Sequence, residues 1–543
     1  MKKAVSVFLA LLMLIGCAQI ALAAPTGLDL PTIYIRGKTD LIYNDIGTAD
    51  EWMVSDSERV FSKEVTDIKA YATDKAKELL PEFGIAMITG NYDAWAEKGS
   101  KLLEPIYREF VLDKQGNPRP GSGVKFDYSK PDKMESNDGT IHFLAYQFRY
   151  DWRLSPLDVA DSLKTYIETI CRVTGKDQVN LVTRCEGCCI ALSYLYKYGD
   201  ENKIANNLMF GSSALGVVYA SNIFAGKFDL DGDALNRYVG LNFATGSHDS
   251  FGDDLFGDEA IRTFLRETIM LLTVTHATDK PSDKLVELVD KLAPMVYPGL
   301  LMSSYGTCPS YWAMVRDDDY EDAKKLAGLT GNPEWADFVA KIDEYQYNVQ
   351  QRAKEILTEL KDKGHQTGIF VKYGGEALPI IKDSNEVSDN TTLVKDATFG
   401  ATTAKIDQPF SAEYIASRPA GMVSPDGLID ASTALFPDST WYIKYFPHSW
   451  WGNIFNRFTE AYLQSNSTLR VGDEGAMPRF QIYAEDPTKP STDGIPTEMT
   501  DDNAFERSDY YKTNKLSSLF SFLTALIPML QRLFNLIKSK LGL

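Results

Sequence analysis

Positive charge is what this chain most conspicuously lacks. It has 56 Lys and Arg against 75 Asp and Glu, a formal charge of −19. Nucleic acid is excluded as a partner, because phosphates need clustered basic side chains. Histidine is scarce too, with five in 543 residues, so each is a candidate for chemistry. Cysteines are few. If residues 1–23 are removed, five remain: Cys171, Cys185, Cys188, Cys189 and Cys308. An odd number in an exported chain leaves a free thiol or an intermolecular bond. Cys185 and Cys188 have C-x-x-C spacing, but no second Cys/His pair has ligand spacing, so a zinc site is the weaker reading. No internal repeat and no transmembrane span is visible. The 44% hydrophobic and 12% aromatic content belong to a globular chain rather than a disordered one.

The first residues read as an export signal. Lys2 and Lys3 precede an apolar run from Ala4 to Ile15, and Ala21-Leu22-Ala23 is a small-residue cleavage site. Leu14-Ile15-Gly16-Cys17 also fits a lipobox, with Cys17 as a lipidated terminus. Both readings make the chain secreted or extracytoplasmic.

Short β-rich runs stand at Pro31–Gly37, Thr140–Phe148, Gln178–Val182, Gly368–Tyr373 and Ser439–Phe446. Residues 51–112 carry helical periodicity, and 113–138 read as a loop. Ser155-Pro156-Leu157-Asp158 is a helix start, with Ser155 as N-cap and Asp158 placed to answer it. Strand, helix, strand, helix in this order predicts an α/β fold with a mostly parallel sheet flanked by helices. The division is a signal peptide (1–23), a first core part (24–214), a helical cap insertion (215–365), a second core part (366–512) and an amphipathic C-terminal helix (513–543). Asp229 to Asp233 faintly resembles a calcium loop, but the full pattern is missing and a solvated acidic turn is the better reading. In the tail, Leu519, Phe522, Leu526, Met529, Leu533, Leu536 and Leu541 recur at helical spacing, with Lys512, Lys515, Arg532, Lys538 and Lys540 and no acid. Such a helix can lie on a membrane surface or dock on its own domain.

The chemistry concentrates at Thr183-Arg184-Cys185-Glu186-Gly187, a turn between a strand and a helical run. A nucleophile elbow needs small residues on either side of a nucleophile held at a strained bend. Gly187 fits, Thr183 is larger than the usual glycine, and Cys185 stands where serine is usual. A thiol starts near a pKa of ~8.5, and a helix start favours its thiolate. Ser424-Pro425-Asp426-Gly427 supplies a late carboxylate, Asp426, with Asp430 as its rival. His448, just behind a strand, is placed to be the base. Cys185, Asp426 and His448 follow the chain order nucleophile, acid, base. The amides of Glu186 and of Lys38, after Arg36-Gly37, are placed for an oxyanion hole.

At these residues the chain resembles the lipase-like branch of the α/β-hydrolases that includes lecithin:cholesterol acyltransferase and phospholipid:diacylglycerol acyltransferase. The most specific match is Tyr150-Asp151-Trp152-Arg153-Leu154. Val179–Val182 with the elbow, Pro309–Met314, and the Asp426 and His448 segments follow in order, from about residue 30 to about 455. The resemblance implies an α/β-hydrolase fold and an acyl-enzyme mechanism on lipid or other esters. Carried over by position, Cys185 is nucleophile, Asp426 the orienting acid, His448 the base, and Lys38 and Glu186 the oxyanion donors, with no cofactor. Two departures stand out: the family has serine at the Cys185 position, and His-Gly or Pro-Gly where this chain has Arg36-Gly37. The rival expectation is an inactive hydrolase fold that binds a lipid, glycan or partner without turnover.

Overall fold

The computed structural model describes residues 29–56, 59–133, 145–227, 283–375, 382–406, 408–446, 448, 453–465, 469–473, 477–483 and 496–504. The export signal, Cys17, the acidic turn at 229–233 and the segment 513–543 lie outside the described residues. Twelve strands are present among those described: β1 Thr32–Ile35, β2 Ile42–Asn44, β3 Trp52–Ser55, β4 Ala145–Phe148, β5 Val179–Arg184, β6 Ile204–Phe210, β7 Gln366–Tyr373, β8 Thr402–Thr403, β9 Ile429–Asp430, β10 Thr440–Lys444, β11 Phe480–Ile482 and β12 Thr497–Glu498. Eight of them form one sheet in the order β12-β11-β10-β7-β6-β5-β1-β4. Every neighbouring pair is parallel except β11 with β12. The chain is therefore an α/β protein.

A parallel sheet needs apolar cover on both faces, and the strands supply it by strict alternation. Ile33, Ile35, Leu181, Ile369 and Val371 point into one buried cluster. Tyr34, Val182, Phe370, Trp441 and Ile443 point into another. The first face is covered by helices Pro156–Thr174, Gly187–Tyr198 and Ala353–Asp362, which bring Leu163, Ile167, Leu192 and Leu357 to it. The second is covered by helix Asn453–Gln464 through Phe455, Phe458 and Tyr462. Among the described residues, all regular structure between β6 and β7 is helical.

Two local expectations need correction. Residues 51–112 are not helical throughout: Trp52–Ser55 pairs antiparallel with β2, and the helices begin only at Ile68. The Trp-Met-Val run favours a pleated, half-buried strand. Ser155 caps its helix by accepting from the Leu157 amide at 3.3 Å. Asp158 does not answer it but turns outward to Lys341 at 2.9 Å.

The register decides where function can sit. Thr183 lies opposite Ile35, Arg184 opposite Phe210, Phe210 opposite Phe370, and Lys444 opposite Tyr373. The carboxyl ends of β1, β5, β6, β7 and β10 therefore meet along one edge, where ligands gather in open α/β sheets.

Candidate active site

The chain leaves β5 at Arg184 and reverses into helix Gly187–Tyr198 through two residues, Cys185 at φ 52° and Glu186 at φ −57°. A left-handed conformation is costly for a side chain with a Cβ and persists only where the surroundings impose it. They do so here by close packing. A Cβ on Gly187 would lie 2.4 Å from the Ile35 carbonyl oxygen and 2.9 Å from that of Arg36. The elbow thus presses its backbone against the end of β1. Gly37 meets it from the other side, where a Cβ would sit 3.0 Å from Cys185 Cβ and 3.3 Å from its Sγ. Thr183, larger than the expected glycine, fits because its hydroxyl donates to the Leu208 carbonyl at 3.1 Å and touches Cys188 Sγ at 3.2 Å.

The loop after β1 is strapped down by the Tyr150–Arg153 motif. Tyr150 Oη donates to the Arg36 carbonyl at 2.8 Å, and its amide donates to Asp40 at 3.0 Å. Trp152 Nε1 donates to the Asp40 carbonyl at 2.9 Å. Arg153, 1% exposed, holds Asp151 at 2.6 Å and the Phe110 carbonyl at 2.8 Å. This places Gly37 beside the sulfur, with Lys38 next to it in the chain. The Glu186 amide donates to Cys185. The side chain of Lys38 lies over the Tyr311 ring, 2.9 Å from its centroid.

His448 comes from the turn behind β10. Its Nδ1 lies 2.6 Å from a carboxylate oxygen, and that oxygen belongs to Asp389. Asp389 is 1% exposed, and its other oxygen accepts the amides of Thr391 at 3.1 Å and Thr392 at 2.7 Å. This corrects the expectation for the acid. Asp426 does not meet His448: its Oδ2 faces Lys444 Nζ at 2.8 Å and Tyr373 Oη at 3.2 Å, and its Oδ1 accepts from Ser424 Oγ at 2.6 Å. The rival Asp430 is held by Tyr414 and Arg418. Asp389 follows β7, the strand beside the one that leads to His448, an adjacency that the sheet order shows and the sequence does not.

Cys185 and His448 are brought together. His448 Nε2 is buried with no hydrogen-bond partner within ordinary distance, and the ring acts on the thiol chiefly through its charge. Burial alone would raise the Cys185 pKa. The attraction of His448 above all, with Arg184 and the Glu186 amide, outweighs burial and brings it down to about 7. Burial would lower His448, but Asp389 and the Cys185 sulfur lift it to about 9. Asp389 is held below the usual carboxylate range against its own burial, chiefly by His448. Near neutral pH the arrangement favours thiolate and imidazolium side by side.

No family model matches the chain. No curated protein matches it either. Among solved structures, the chain is similar to one in the crystal structure of the Tle4-Tli4 complex, with 12% identity and a TM-score of 0.22 over 63% of this chain and 74% of that one. A likeness so slight carries no activity across.

The remaining described cysteines are unpaired and chemically quiet. Burial pushes Cys188 and Cys308 up to about 12 and raises Cys171 and Cys189. Cys188 points to Thr183, so the C-x-x-C pair does not converge, and among the described residues no three His, Cys, Asp or Glu side chains cluster as metal ligands. Glu186, 1% exposed beside the elbow, is driven by burial up to about 8, with Lys38 and Tyr150 opposing the shift. Burial therefore favours its uncharged form near neutral pH.

Proposed function

We propose that the chain is an exported acyl hydrolase or acyltransferase of the α/β-hydrolase type, acting on lipid or other esters or thioesters through Cys185, His448 and Asp389. The observation that carries this reading is the cysteine at φ 52° on a strand–helix elbow, coupled to an imidazole that a buried carboxylate holds at 2.6 Å. A strained, half-buried nucleophile with an oriented base is what nucleophilic catalysis requires. An inert core cysteine has no need of either.

The Cys185 thiolate attacks the substrate carbonyl carbon. The Glu186 and Lys38 amides take the developing oxyanion. The tetrahedral adduct collapses, the carbonyl–oxygen or carbonyl–sulfur bond breaks, and the His448 imidazolium protonates the leaving group. An acyl thioester remains on Cys185. Neutral His448 then removes a proton from water or an alcohol, which attacks that thioester. The acid or new ester departs, and thiolate and imidazolium are restored. Asp389 holds Nδ1–H throughout, so that Nε2 faces the sulfur. An acyl thioester is more reactive than an oxygen ester, which favours the second half of the cycle.

The test is intact-mass analysis after incubation with p-nitrophenyl esters and simple acyl thioesters, followed by peptide mapping. An acyl adduct on the Cys185 peptide, absent from Cys185→Ala, is expected. Absence of both adduct and turnover across the neutral range would sink the enzyme reading in favour of a binding protein.

A further inference from the structure

We propose that Lys372, with Arg184, is a positioning residue that clamps the main chain of His448 and thereby sets the reactivity of Cys185. This rests on the reading of Cys185 as the nucleophile. Lys372 is on β7, at a position whose alternation matches Phe370 and points into the second, aromatic core cluster. It is 1% exposed, with the rings of Phe446 and Phe455 centred 5.0 and 4.9 Å from its amine. A hydrocarbon would fill that place without the cost of burying an amine. What the amine does there is specific: Nζ donates to the His448 carbonyl oxygen at 2.9 Å. Arg184 Nη2, from the end of β5, reaches the same oxygen at 3.5 Å.

The base is therefore held at two points. Asp389 holds its ring at Nδ1, Lys372 from β7 holds its peptide oxygen, and Arg184 from β5, on the other side of β6, reaches that same oxygen. With the backbone fixed, the ring keeps its distance to the sulfur, and proton transfer between them is pre-arranged. Among the described residues the charged groups facing Lys372 include Arg184, Asp389 and Cys185, and burial drives its pKa well below the ordinary lysine value. A buried amine of that kind subtracts from stability. This separates a positioning role, in which removal harms reactivity but not stability, from a packing role, in which removal harms stability.

The experiment uses the full chain and Lys372→Met, which keeps the stem and removes the donor, with Lys372→Gln as a partial replacement. Three readouts are taken: melting temperature, the pH at which iodoacetamide alkylation of Cys185 is half-maximal, and kcat and KM on p-nitrophenyl butyrate. The parent half-point is expected near the folded thiol value of about 7. Lys372→Met should melt at or above the parent. Its half-point should rise by about one pH unit or more, and its kcat should fall about 10–100-fold with KM within about twofold. Lys372→Gln should recover part of both. A parent without ester turnover whose half-point still shifts in Lys372→Met would remove the hydrolase reading and leave the clamp standing. A parent half-point at the ordinary thiol value would remove both. Unchanged half-point and kcat in Lys372→Met, or a loss confined to variants that melt well below the parent, would overturn the clamp.

Discussion

Two buried aspartates, Asp389 and Asp426, differ in what they touch, and that difference predicts opposite phenotypes. Asp389→Asn keeps its contacts to the Thr391 and Thr392 amides but cannot stabilise the imidazolium. It should fold and melt like the parent, while kcat drops by up to about 10,000-fold. Asp426→Asn instead leaves the almost fully buried Lys444 its bond to the Ala504 carbonyl at 2.7 Å but takes away its carboxylate at 2.8 Å. Removing one partner of such a pair typically costs about 3–5 kcal/mol. Denaturant titration should find that loss, with turnover per folded molecule preserved. Glu186 predicts a third phenotype. Its folded pKa of about 8 lies above its ordinary 4.5, so folding takes up a proton between those values. Stability from this group is lost as pH rises through that window. Glu186→Gln removes the slope: calorimetry should show no change near pH 4 and a gain of several degrees near pH 8. Part of this residue-level pattern was legible from the sequence. Cys185 and His448 stood out because one broke the expected serine and the other is one of five histidines. Asp389 did not, because nothing local distinguishes an Asp before Asn-Thr-Thr from an ordinary turn. Asp426 drew notice for its lateness in the chain, whereas what selects the acid is which strand end it follows.

At the scale of elements, the elbow and the end of β1 form one packed unit. The missing Cβ at Gly187 is what lets the Ile35 and Arg36 carbonyls approach. Gly187→Ala should force the two apart, since backbone oxygens at 2.4 and 2.9 Å cannot yield as a flexible side chain can. The expected result is a lower melting temperature and a fall in acylation rate of about 100-fold or more, because the oxyanion donors move relative to the sulfur. Single-turnover acylation kinetics would measure it. The strands of the sheet were legible because short β-branched and aromatic runs between breakers have few other readings. Trp52–Ser55 was not, since four residues between charged, helix-compatible flanks reveal their pairing only when β2 is alongside. The Thr183 departure from glycine was likewise opaque, because the carbonyl its hydroxyl satisfies is on β6, 25 residues away.

At the scale of the molecule, activity should follow a bell-shaped pH profile. Below about 7 the sulfur is protonated and cannot attack; above about 9 His448 loses the proton the leaving group needs. The two groups are close enough that these limbs belong to the pair rather than to either residue. A profile of kcat/KM that instead rose to a plateau with one limb near 8.5 would mean the sulfur and imidazole titrate independently.

The parallel sheet has one more consequence. The groups that shape the sulfur come from strand ends near residues 37, 185, 389 and 448, which no local segment can assemble. Before the last of those strands docks, the thiol is an ordinary one; afterwards it is acidic. Timed alkylation of a refolding chain at neutral pH would therefore work as a built-in clock, reporting the moment at which distant parts of the polypeptide complete their assembly.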